Sequence, residues 1–335
     1  MKGSAAMRTG AVTERIDGVL VVDKPRGPTS HDVVARLRRV LGTREIGHAG
    51  TLDPMATGVL VVCVGEATKL SPWLTAADKS YEATIALGAE TDTLDAEGTL
   101  VKRADVPLSV LEALDRIRSG KLHDHLARAL AHEKERTLQV PPLVSAIKKD
   151  GVRSYERARK PESEGPVEPL APRTVNVRAI EVLDGGMDAG GKTGWIAVTC
   201  HVSKGYYVRA LARDLAASLG TLGHLTALRR TRSGPFEIEE SMPLDTPGDE
   251  LAARVIALPR AATRALPETR LTESGARDAR FGRAVRAEDM SASEATGPHA
   301  WLDVEGRLVA VGERAEDGSW RVVRGFVGTR DMLPP

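Results

Sequence analysis

The chain has 335 residues, of which 41% are hydrophobic, 28% are charged and only 3% are aromatic, and its formal net charge is +1. This length allows one large domain or two of ordinary size, with enough apolar residues for a packed core. No stretch approaches the roughly 18 apolar residues that a membrane-spanning helix needs, so we expect no membrane segment. Residues 1–15 are small and polar without an apolar h-region, which predicts a disordered lead-in rather than a secretory signal.

The two cysteines, Cys63 and Cys200, each lie in an apolar run that is typical of a strand. Cysteines in such runs are usually buried thiols, and two of them provide neither a disulfide framework nor a zinc site. Together with the missing secretory signal, this pattern predicts a cytoplasmic protein.

The first predicted elements are a strand over residues 18–24, which Pro25 ends, and a helix that Ser30 caps. Apolar residues recur at helical spacing as far as Leu41, and Gly42 is suited to the position after the helix. The opposite face of this helix carries arginines that are available either to phosphates or to water.

A carboxylate follows on a loop rich in glycine, in the stretch GHAGTLDPMATGVL at residues 47–60. Each glycine can adopt backbone angles closed to other residues, and Pro54 keeps Asp53 out of the helical region. The continuous apolar run at residues 59–64 predicts a buried strand. The sequence therefore predicts that a stiff loop holds Asp53 at the mouth of a core strand, although a lone Asp-Pro is usually only a turn.

The remaining elements of the first 220 residues follow from periodicity and turn residues. In chain order they are a helix over 66–77, a strand over 79–87, a polar loop over 88–98, a helix over 106–118, strands over 173–182 and 195–202 joined by a glycine-rich turn at 185–194, and a helix after residue 209 that Gly220 ends. In the strand over 79–87, Tyr81 alternates onto the face of the apolar residues, so alternation alone predicts a core tyrosine.

Basic residues are concentrated in residues 201–232, where six of them accompany one acid, Asp214: Lys204, Arg209, Arg213, Arg229, Arg230 and Arg232. A second cluster comprises Arg36, Arg38, Arg39 and Arg44. Local patches of this kind bind phosphates even on a neutral protein, and the alternative is a solvated basic face.

Two polar stretches interrupt the pattern. Residues 121–137 contain His123, His125 and His132, but nothing there sets up ligand geometry, so the stretch predicts a solvated helix rather than a metal site. Residues 161–172 are rich in Pro and Glu and predict a flexible loop.

The composition changes after about residue 262. A short helix is predicted from Leu271 and Thr272 onwards, followed by short strands at 301–304, 308–311 and 320–323. These elements predict a small β-rich unit at the end of the chain.

Several of these stretches resemble motifs of the TruB family of pseudouridine synthases, the branch typified by the bacterial enzymes for uridine 55 of tRNA. The resemblance covers nearly all of residues 18–240, through VVDKPRGPTS at 21–30, GHAGTLDPMATGVL at 47–60, DKSY at 78–81, GAETDTLDAEG at 88–98, QVPPLVSAIK at 139–148, SKGYYVR at 203–209 and LGHLTALRRT at 222–231. The chain departs from the family pattern in its longer links at 121–137 and 161–172. It also has Val144 where many relatives carry an aromatic residue.

The resemblance implies an α+β fold with a mixed, mainly antiparallel sheet and flanking helices. The catalytic domain would span residues 16–262 and include an RNA-clasping insertion at about 121–172. The β-rich unit at 265–331 resembles the PUA-type RNA-binding domain.

The resemblance also assigns the catalytic residues. Asp53 matches the family's essential nucleophile, and Arg209 matches the arginine that keeps this carboxylate ionised and oriented. Such a partner is needed because burial alone neutralises a carboxylate, whereas a bidentate guanidinium stabilises its charge. The alternative is that Arg209 binds phosphate.

Four further positions are assigned to substrate binding by the same comparison of motifs. Tyr81 packs against the target base, and Tyr207 and Leu228 close the pocket. His48 is placed to contact RNA or to fill the space that the flipped base leaves, and no third group is visible that would orient it as a general base.

The implied activity is the isomerisation of uridine to pseudouridine in the T-arm loop of tRNA, at position 55, on a flipped-out nucleotide. The reaction has no net redox change and adds no group, so we expect no cofactor and no metal; the sequence contains no Walker loop, zinc spacing or dinucleotide fingerprint. The expected partner is tRNA through its T arm, with no obligatory protein partner and a monomeric state.

Two other functions fit the sequence. The first is a tRNA-binding folding chaperone whose isomerase activity is secondary or lost, which the intact set of Asp53, Tyr81 and Arg209 disfavours. The second is the guide-RNA-dependent branch of the same family, which needs protein partners and which the bacterial-type spacing of residues 47–60 disfavours.

Overall fold

The computed structural model describes residues 15–117, 122–144, 148–149, 152–153, 170–292 and 295–326. Apart from Arg15, the predicted lead-in lies outside these residues. The same is true of most of the Pro/Glu-rich stretch at 161–172 and of much of the proposed clasping insertion.

The elements are numbered in chain order within the described residues. The strands are β1 Gly18–Lys24, β2 Ile46–Ala49, β3 Thr57–Val64, β4 Lys79–Leu87, β5 Ala89–Thr91, β6 Leu100–Arg103, β7 Leu138–Gln139, β8 Lys148–Lys149, β9 Val152–Arg153, β10 Arg173–Thr174, β11 Val177–Met187, β12 Gly194–Val202, β13 Gly223–Ser233, β14 Phe236–Glu237, β15 Met242–Pro243, β16 Ile256–Ala257, β17 Glu268–Arg270, β18 His299–Leu302, β19 Leu308–Arg314 and β20 Trp320–Gly325. The α-helices are α1 Ser30–Val40, α2 Ser71–Ala76, α3 Leu108–Arg116, α4 Asp124–Lys134, α5 Val208–Ser218, α6 Gly248–Ala253, α7 Leu258–Ala265 and α8 Glu273–Arg280, and 3-10 helices span Gly65–Leu70, Ile238–Glu240 and Ala287–Asp289.

The central sheet has the strand order β11-β12-β4-β13-β3-β1-β15, with β14, β16 and β2 paired to β13, β1 and β3. Most neighbouring strands are antiparallel, but β13 runs parallel to β3 and β15 runs parallel to β1. This arrangement confirms the predicted α+β fold with a mixed, mainly antiparallel sheet. The register of the parallel pair sets Arg230 opposite Gly58, so the loop that precedes β3 lies beside the middle of β13.

Strand β3 is buried on both faces, which explains its continuous apolar run. Leu60 and Val62 join a core that includes residues of α1, α3, α4 and α5. Val59, Val61 and Cys63 face the other way, into a core shared with α2, α7 and the C-terminal strands.

Both cysteines are free and buried, as predicted. Burial raises the pKa of the Cys63 and Cys200 thiols to about 12, because the low-polarity interior disfavours the thiolate. These thiols are therefore inert core side chains.

Helix α1 begins one residue earlier than the sequence predicts. Thr29 caps it through a reciprocal pair of bonds, in which Asp32 N donates to Thr29 Oγ1 (3.1 Å) and Thr29 N donates to the Asp32 carboxylate (2.9 Å). The predicted cap, Ser30, is the first helical residue, and its buried hydroxyl is bonded to Leu52 on the next loop. Gly42 follows the helix with φ +66°, as predicted.

Other elements differ from the prediction in extent. The helix predicted over 66–77 is a 3-10 helix followed by α2, and the polar loop over 88–98 contains the short strand β5. The glycine-rich turn predicted at 185–194 is shorter, because Gly185–Met187 continue β11. A Cβ atom at Gly185 would lie 2.5 Å from Ile117 Cδ1 and 3.4 Å from Leu114 Cδ2, so α3 and the residue after it pack closely against this strand where Gly185 has no side chain.

The predicted solvated helix within 121–137 is instead amphipathic. Helix α4 buries Leu126, Ala129, Leu130 and Glu133. Hydrophobic residues at this spacing form one face of the helix. The sequence prediction missed this face because it rested on the histidines and charged residues of the stretch.

The C-terminal residues form the predicted small β unit, a sheet of order β17-β18-β19-β20 with helix α8 beside it. Thr272 caps α8, and Trp301 is fully buried in the local core. Helix α7 crosses the predicted boundary near residue 262 and packs against β1 and β18. The assignment of this unit as PUA-like stays a prediction.

Among the residues that the structure describes, no helix is long and apolar enough to cross a membrane.

The close approach of β3 and β13 predicts a large effect of adding one methyl group at Gly58. Gly58 has φ +97°, and a Cβ atom there would lie 2.2 Å from the Arg230 carbonyl oxygen. At Gly42, φ is +66° but a Cβ atom would meet nothing within 4 Å. We expect Gly42→Ala to cost about 1–2 kcal/mol of unfolding free energy through its backbone angles alone, and Gly58→Ala about 1–3 kcal/mol more through overlap.

Thermal and urea unfolding of the two variants measures this difference. Equal stabilities for Gly58→Ala and Gly42→Ala would contradict the close approach of the two strands.

Candidate active site

Asp53 lies on the loop between β2 and β3, with its side chain 36% exposed. The residue before it is fixed by Ser30, since Leu52 N donates to Ser30 Oγ (2.9 Å) and Ser30 Oγ donates to the Leu52 carbonyl (3.1 Å). One buried hydroxyl thus satisfies both backbone groups of Leu52. The carboxylate therefore projects from a backbone that is held at its N-terminal side.

Lys24 holds the other side of the loop. Its side chain is buried at the end of β1, and Nζ donates to the carbonyls of Pro25 (3.0 Å), Pro54 (3.2 Å) and Ala56 (2.7 Å). Burial lowers the pKa of Lys24 to about 8, an effect that the nearby negative charge of Asp53 opposes. The ammonium group thus stabilises the backbone immediately after Asp53.

Arg230, on strand β13, binds both the start of the loop and strand β3 after it. Its side chain is only 1% exposed, and the guanidinium donates to the carbonyls of Val59 (2.7 Å), Gly50 (2.9 Å) and Thr51 (3.4 Å). A planar group with five donors can bind several carbonyls at once, which is why arginine suits this position.

Arg209 pairs with Asp53. Its Nε lies 2.9 Å from Asp53 Oδ2, and its Nη2 donates to Asp53 Oδ1 (3.3 Å). The guanidinium is 7% exposed, donates to the Thr93 carbonyl (2.9 Å) and lies 3.6 Å from the buried carboxylate of Asp95. The structure thus places Arg209 on the carboxylate, and the alternative of phosphate binding is not supported.

A cavity of about 290 Å³ opens beside this ion pair, close to the lower limit of about 300 Å³ for ligand pockets. It is lined by Gly50, Thr51, Leu52, Asp53, Thr75, Lys79, Tyr81, Ser203, Gly205, Tyr206, Tyr207, Val208, Arg209, Leu228 and Arg230. Five of the six predicted site residues, Asp53, Tyr81, Tyr207, Arg209 and Leu228, therefore meet in one cavity. They come from the Asp53 loop, β4, the start of α5 and β13.

Tyr81 belongs both to the core and to the cavity wall. It is buried within β4, as strand alternation predicts, and it also lines the cavity. Burial raises the pKa of Tyr81, with a smaller opposing effect from Arg230, so the phenol is neutral at physiological pH. An uncharged aromatic ring in this position presents a surface on which a planar ligand can stack.

His48 is the predicted site residue that does not line the cavity. It lies on β2, and its ring stands edge-on to His31 at a centroid distance of 5.3 Å. Burial, followed by His31 and Arg230, lowers the pKa of His48. Its Nδ1 is buried with no hydrogen-bond partner among the described residues. A contact between His48 and RNA stays a prediction.

Sequence reasoning missed one cation of the cavity wall, Lys79. Its Nζ donates to the carbonyls of Thr75 (2.7 Å) and Ala77 (2.5 Å), and burial lowers its pKa to about 8. Strand alternation could have identified it, because Lys79 lies two residues before Tyr81 and therefore on the same face of β4.

The basic cluster at 201–232 is not one continuous basic surface. Arg229 forms two bonds to the Asp23 carboxylate (3.1 and 2.8 Å), and Arg213 is paired with Asp214 (2.8 Å). Arg232 lies against the ring of His201. These arginines, like Arg209 and Arg230, bind other groups of the protein. The whole cluster is therefore neither a phosphate-binding patch nor a solvated basic face.

Within the part of the chain that the structure describes, no group of three or more His, Cys, Asp or Glu side chains is arranged to hold a metal ion. The cavity wall carries the Asp53 carboxylate, its partner Arg209 and two further cations, Lys79 and Arg230, together with apolar side chains.

Two protein-family domains match the chain. They are the TruB family pseudouridylate synthase N-terminal domain, over residues 38–208, and the tRNA pseudouridylate synthase B C-terminal domain, over residues 209–271.

Curated relatives are similar over most of the chain. The tRNA pseudouridine synthase B of Thermobifida fusca (strain YX) is 45% identical over 323 residues, which cover 92% of this chain and 98% of the relative. The tRNA pseudouridine synthase B of Mycobacterium sp. (strain KMS) is 44% identical over 309 residues, covering 91% of this chain and 93% of the relative.

Solved structures share the fold. A crystal structure of a Cbf5-Nop10-Gar1 complex matches with a TM-score of 0.66 and 25% identity, covering 94% of this chain and 85% of the other. A structure of an H/ACA RNP bound to a substrate RNA containing 2′-deoxyuridine matches with a TM-score of 0.66 and 23% identity, covering 95% and 87%.

The burial of Lys79 predicts a specific dependence of stability on pH. With a folded-state pKa of about 8 and an unfolded value of about 10.4, Lys79 loses its proton in the folded chain before it does so in the unfolded chain. Stability from this group therefore rises as pH increases through that window. We expect the melting temperature of the wild type, relative to that of Lys79→Met, to increase between about pH 8 and pH 10.

The matched control is Lys102→Met, which removes an exposed lysine from β6. If the difference in melting temperature between the wild type and Lys79→Met stays constant over this pH range, the lowered pKa of Lys79 is contradicted.

Proposed function

The chain belongs to the TruB family of pseudouridylate synthases, and from this premise we propose that it isomerises the uridine at position 55, in the T-arm loop of tRNA, with Asp53 as the nucleophile. Isomerisation of uridine to pseudouridine is the activity of the family, and the chain is an isomerase of this kind. The observation that carries the finer proposal is the pairing of Asp53 with Arg209 at a cavity walled by Tyr81, Tyr207 and Leu228.

The chemistry requires a nucleophile and a place to hold a detached base. The N1–C1′ bond of uridine breaks, the uracil turns, and C5 bonds to C1′, while the proton leaves C5 and N1 gains one. Asp53 serves by attacking either the ribose or the base, and both routes use the same carboxylate. Arg209 supports this role, since its ion pair and one hydrogen bond to the Asp53 carboxylate fix the orientation of that group.

The walls of the cavity support the proposal that it binds a flipped-out uracil. A uridine in a folded RNA loop must be flipped out before its glycosidic bond can be reached, which costs its stacking energy. Stacking on an aromatic side chain is worth about 1–3 kcal/mol per base, and Tyr81 offers such a face. Tyr207 and Leu228 complete a wall that would exclude water and confine the uracil while it turns.

The proposed substrate is tRNA, bound through its T arm, and the proposed enzyme acts in the cytoplasm as a monomer without a protein partner. The five predicted site residues that line the cavity, Asp53, Tyr81, Tyr207, Arg209 and Leu228, all belong to this chain. We further propose that His48 contacts the RNA near the cavity and that residues 265–331 serve as a PUA-like RNA-binding domain.

The nucleophile assignment predicts that Asp53→Asn abolishes catalysis and preserves binding. The amide keeps the volume of the side chain but removes the negative charge that attacks the substrate. We expect pseudouridine formation on an unmodified tRNA transcript, with purified protein alone, to fall by more than about a thousandfold. The dissociation constant for the same tRNA, measured by filter binding, should stay within a few-fold of the wild-type value.

The matched control is Asp115→Asn, which makes the same change on the exposed face of α3. Near-normal isomerisation by Asp53→Asn would refute the assignment. Retained folding of tRNA by Asp53→Asn with no product formed would separate a chaperone role from the isomerase.

A further inference from the structure

Glu133 is a buried carboxylate outside the catalytic cavity. It lies on the buried face of α4 beside Leu126 and Leu130 and is 1% exposed. A carboxylate in such a place is strongly unfavourable unless it is paired and hydrogen-bonded. Its partners therefore indicate what it holds in place.

One of those partners, Tyr206, belongs to the segment that carries Arg209, and the other, Arg136, follows α4. Tyr206 Oη donates to Glu133 Oε1 (2.7 Å), and Arg136 Nε donates to both carboxylate oxygens (2.8 and 2.7 Å). Arg136 also lies 3.6 Å from the Asp214 carboxylate on α5. Helix α4 is thus joined by polar contacts to α5 and to the residues immediately before it.

Gln139 makes a second connection to the same segment. Its buried amide forms two bonds with the backbone of Tyr207, since Tyr207 N donates to Gln139 Oε1 (2.8 Å) and Gln139 Nε2 donates to the Tyr207 carbonyl (3.2 Å). Beside it, Arg213 on α5 donates to the Val140 carbonyl (2.9 Å). We call Glu133, Arg136 and Gln139 the brace.

The residues that the brace holds border the reacting centre. Tyr206 and Tyr207 both line the cavity, and Arg209 follows two residues later in the first turn of α5. Tyr206 occupies the position that the SKGxYxR pattern leaves variable, and α4 lies in a link that is longer than the family pattern. The hydrogen bond between Tyr206 and Glu133 therefore joins a variable position of the motif to the longer link.

We propose that Glu133 and Gln139 are positioning residues, which act through Tyr206 and Tyr207 to set the location of Arg209 and of one cavity wall relative to Asp53. This inference rests on the proposed function. A displacement of about 1 Å at a reacting group can reduce a rate about a hundredfold, so loss of either connection should slow the chemical step. Binding of tRNA depends on many other contacts and should change little.

The first test compares Tyr206→Phe, which removes only the hydroxyl, with Gln139→Met, which keeps the volume and removes both bonds. We expect the single-turnover rate constant for pseudouridine formation to fall about tenfold or more in each variant. The tRNA dissociation constant should stay within about twofold of the wild-type value. The control Glu135→Gln, at the exposed residue that follows α4, should match the wild type. Rates within twofold of wild type in both variants would overturn the proposal.

The second test needs no RNA. Amide hydrogen exchange in peptides that cover residues 203–210 should be faster in Gln139→Met than in the wild type, because Tyr207 N loses its acceptor. Peptides from β18 and β19 should not change. Unchanged exchange at 203–210 would overturn the brace whatever the activity, whereas absence of product with the wild type would instead refute the proposed function.

Discussion

The carbonyl groups of the Asp53 loop are bound by two buried cations, Lys24 and Arg230, on which the rest of the site depends. A hydrogen bond to a charged group contributes about 1.5–3 kcal/mol, whereas an unpaired buried charge costs several. The loop and the cations therefore satisfy each other, and disturbing either leaves buried polar groups without partners. The result is a backbone stiff enough to present one carboxylate in one direction.

Arg209 connects this loop to a distant part of the chain. Asp53 belongs to the loop before β3, and Arg209 to the start of α5, 156 residues later, yet they form an ion pair with one hydrogen bond. The same guanidinium reaches Thr93, so three segments converge on one side chain. Such convergence fixes the carboxylate relative to the walls at Tyr81 and Leu228, and the proposed isomerisation needs this fixed geometry to confine a turning base.

Local patterns predict much of this arrangement and leave part of it hidden. Alternation and helical spacing predict β3, β4, α1 and α5, and the motifs identify Asp53 and Tyr81, because these signals depend on neighbouring residues. The roles of Lys24 and Arg230 depend on carbonyls at distant positions, and the register of β13 on β3 that brings Arg230 to the loop cannot be read from either strand. The burial of Glu133 could not be predicted for a related reason. A charged residue is expected at the surface, and its partner Tyr206 lies 73 residues away in the sequence.

We propose that Asp53, on a loop held by Lys24 and Arg230, converts one uridine of tRNA to pseudouridine. The measurement that tests this proposal is nucleotide-resolution mapping of pseudouridine in unmodified bulk tRNA that has been treated with the purified protein and nothing else. We expect new pseudouridine at a single uridine of the T-arm loop. Absence of any new pseudouridine, or its appearance at scattered positions outside the T arm, would contradict it.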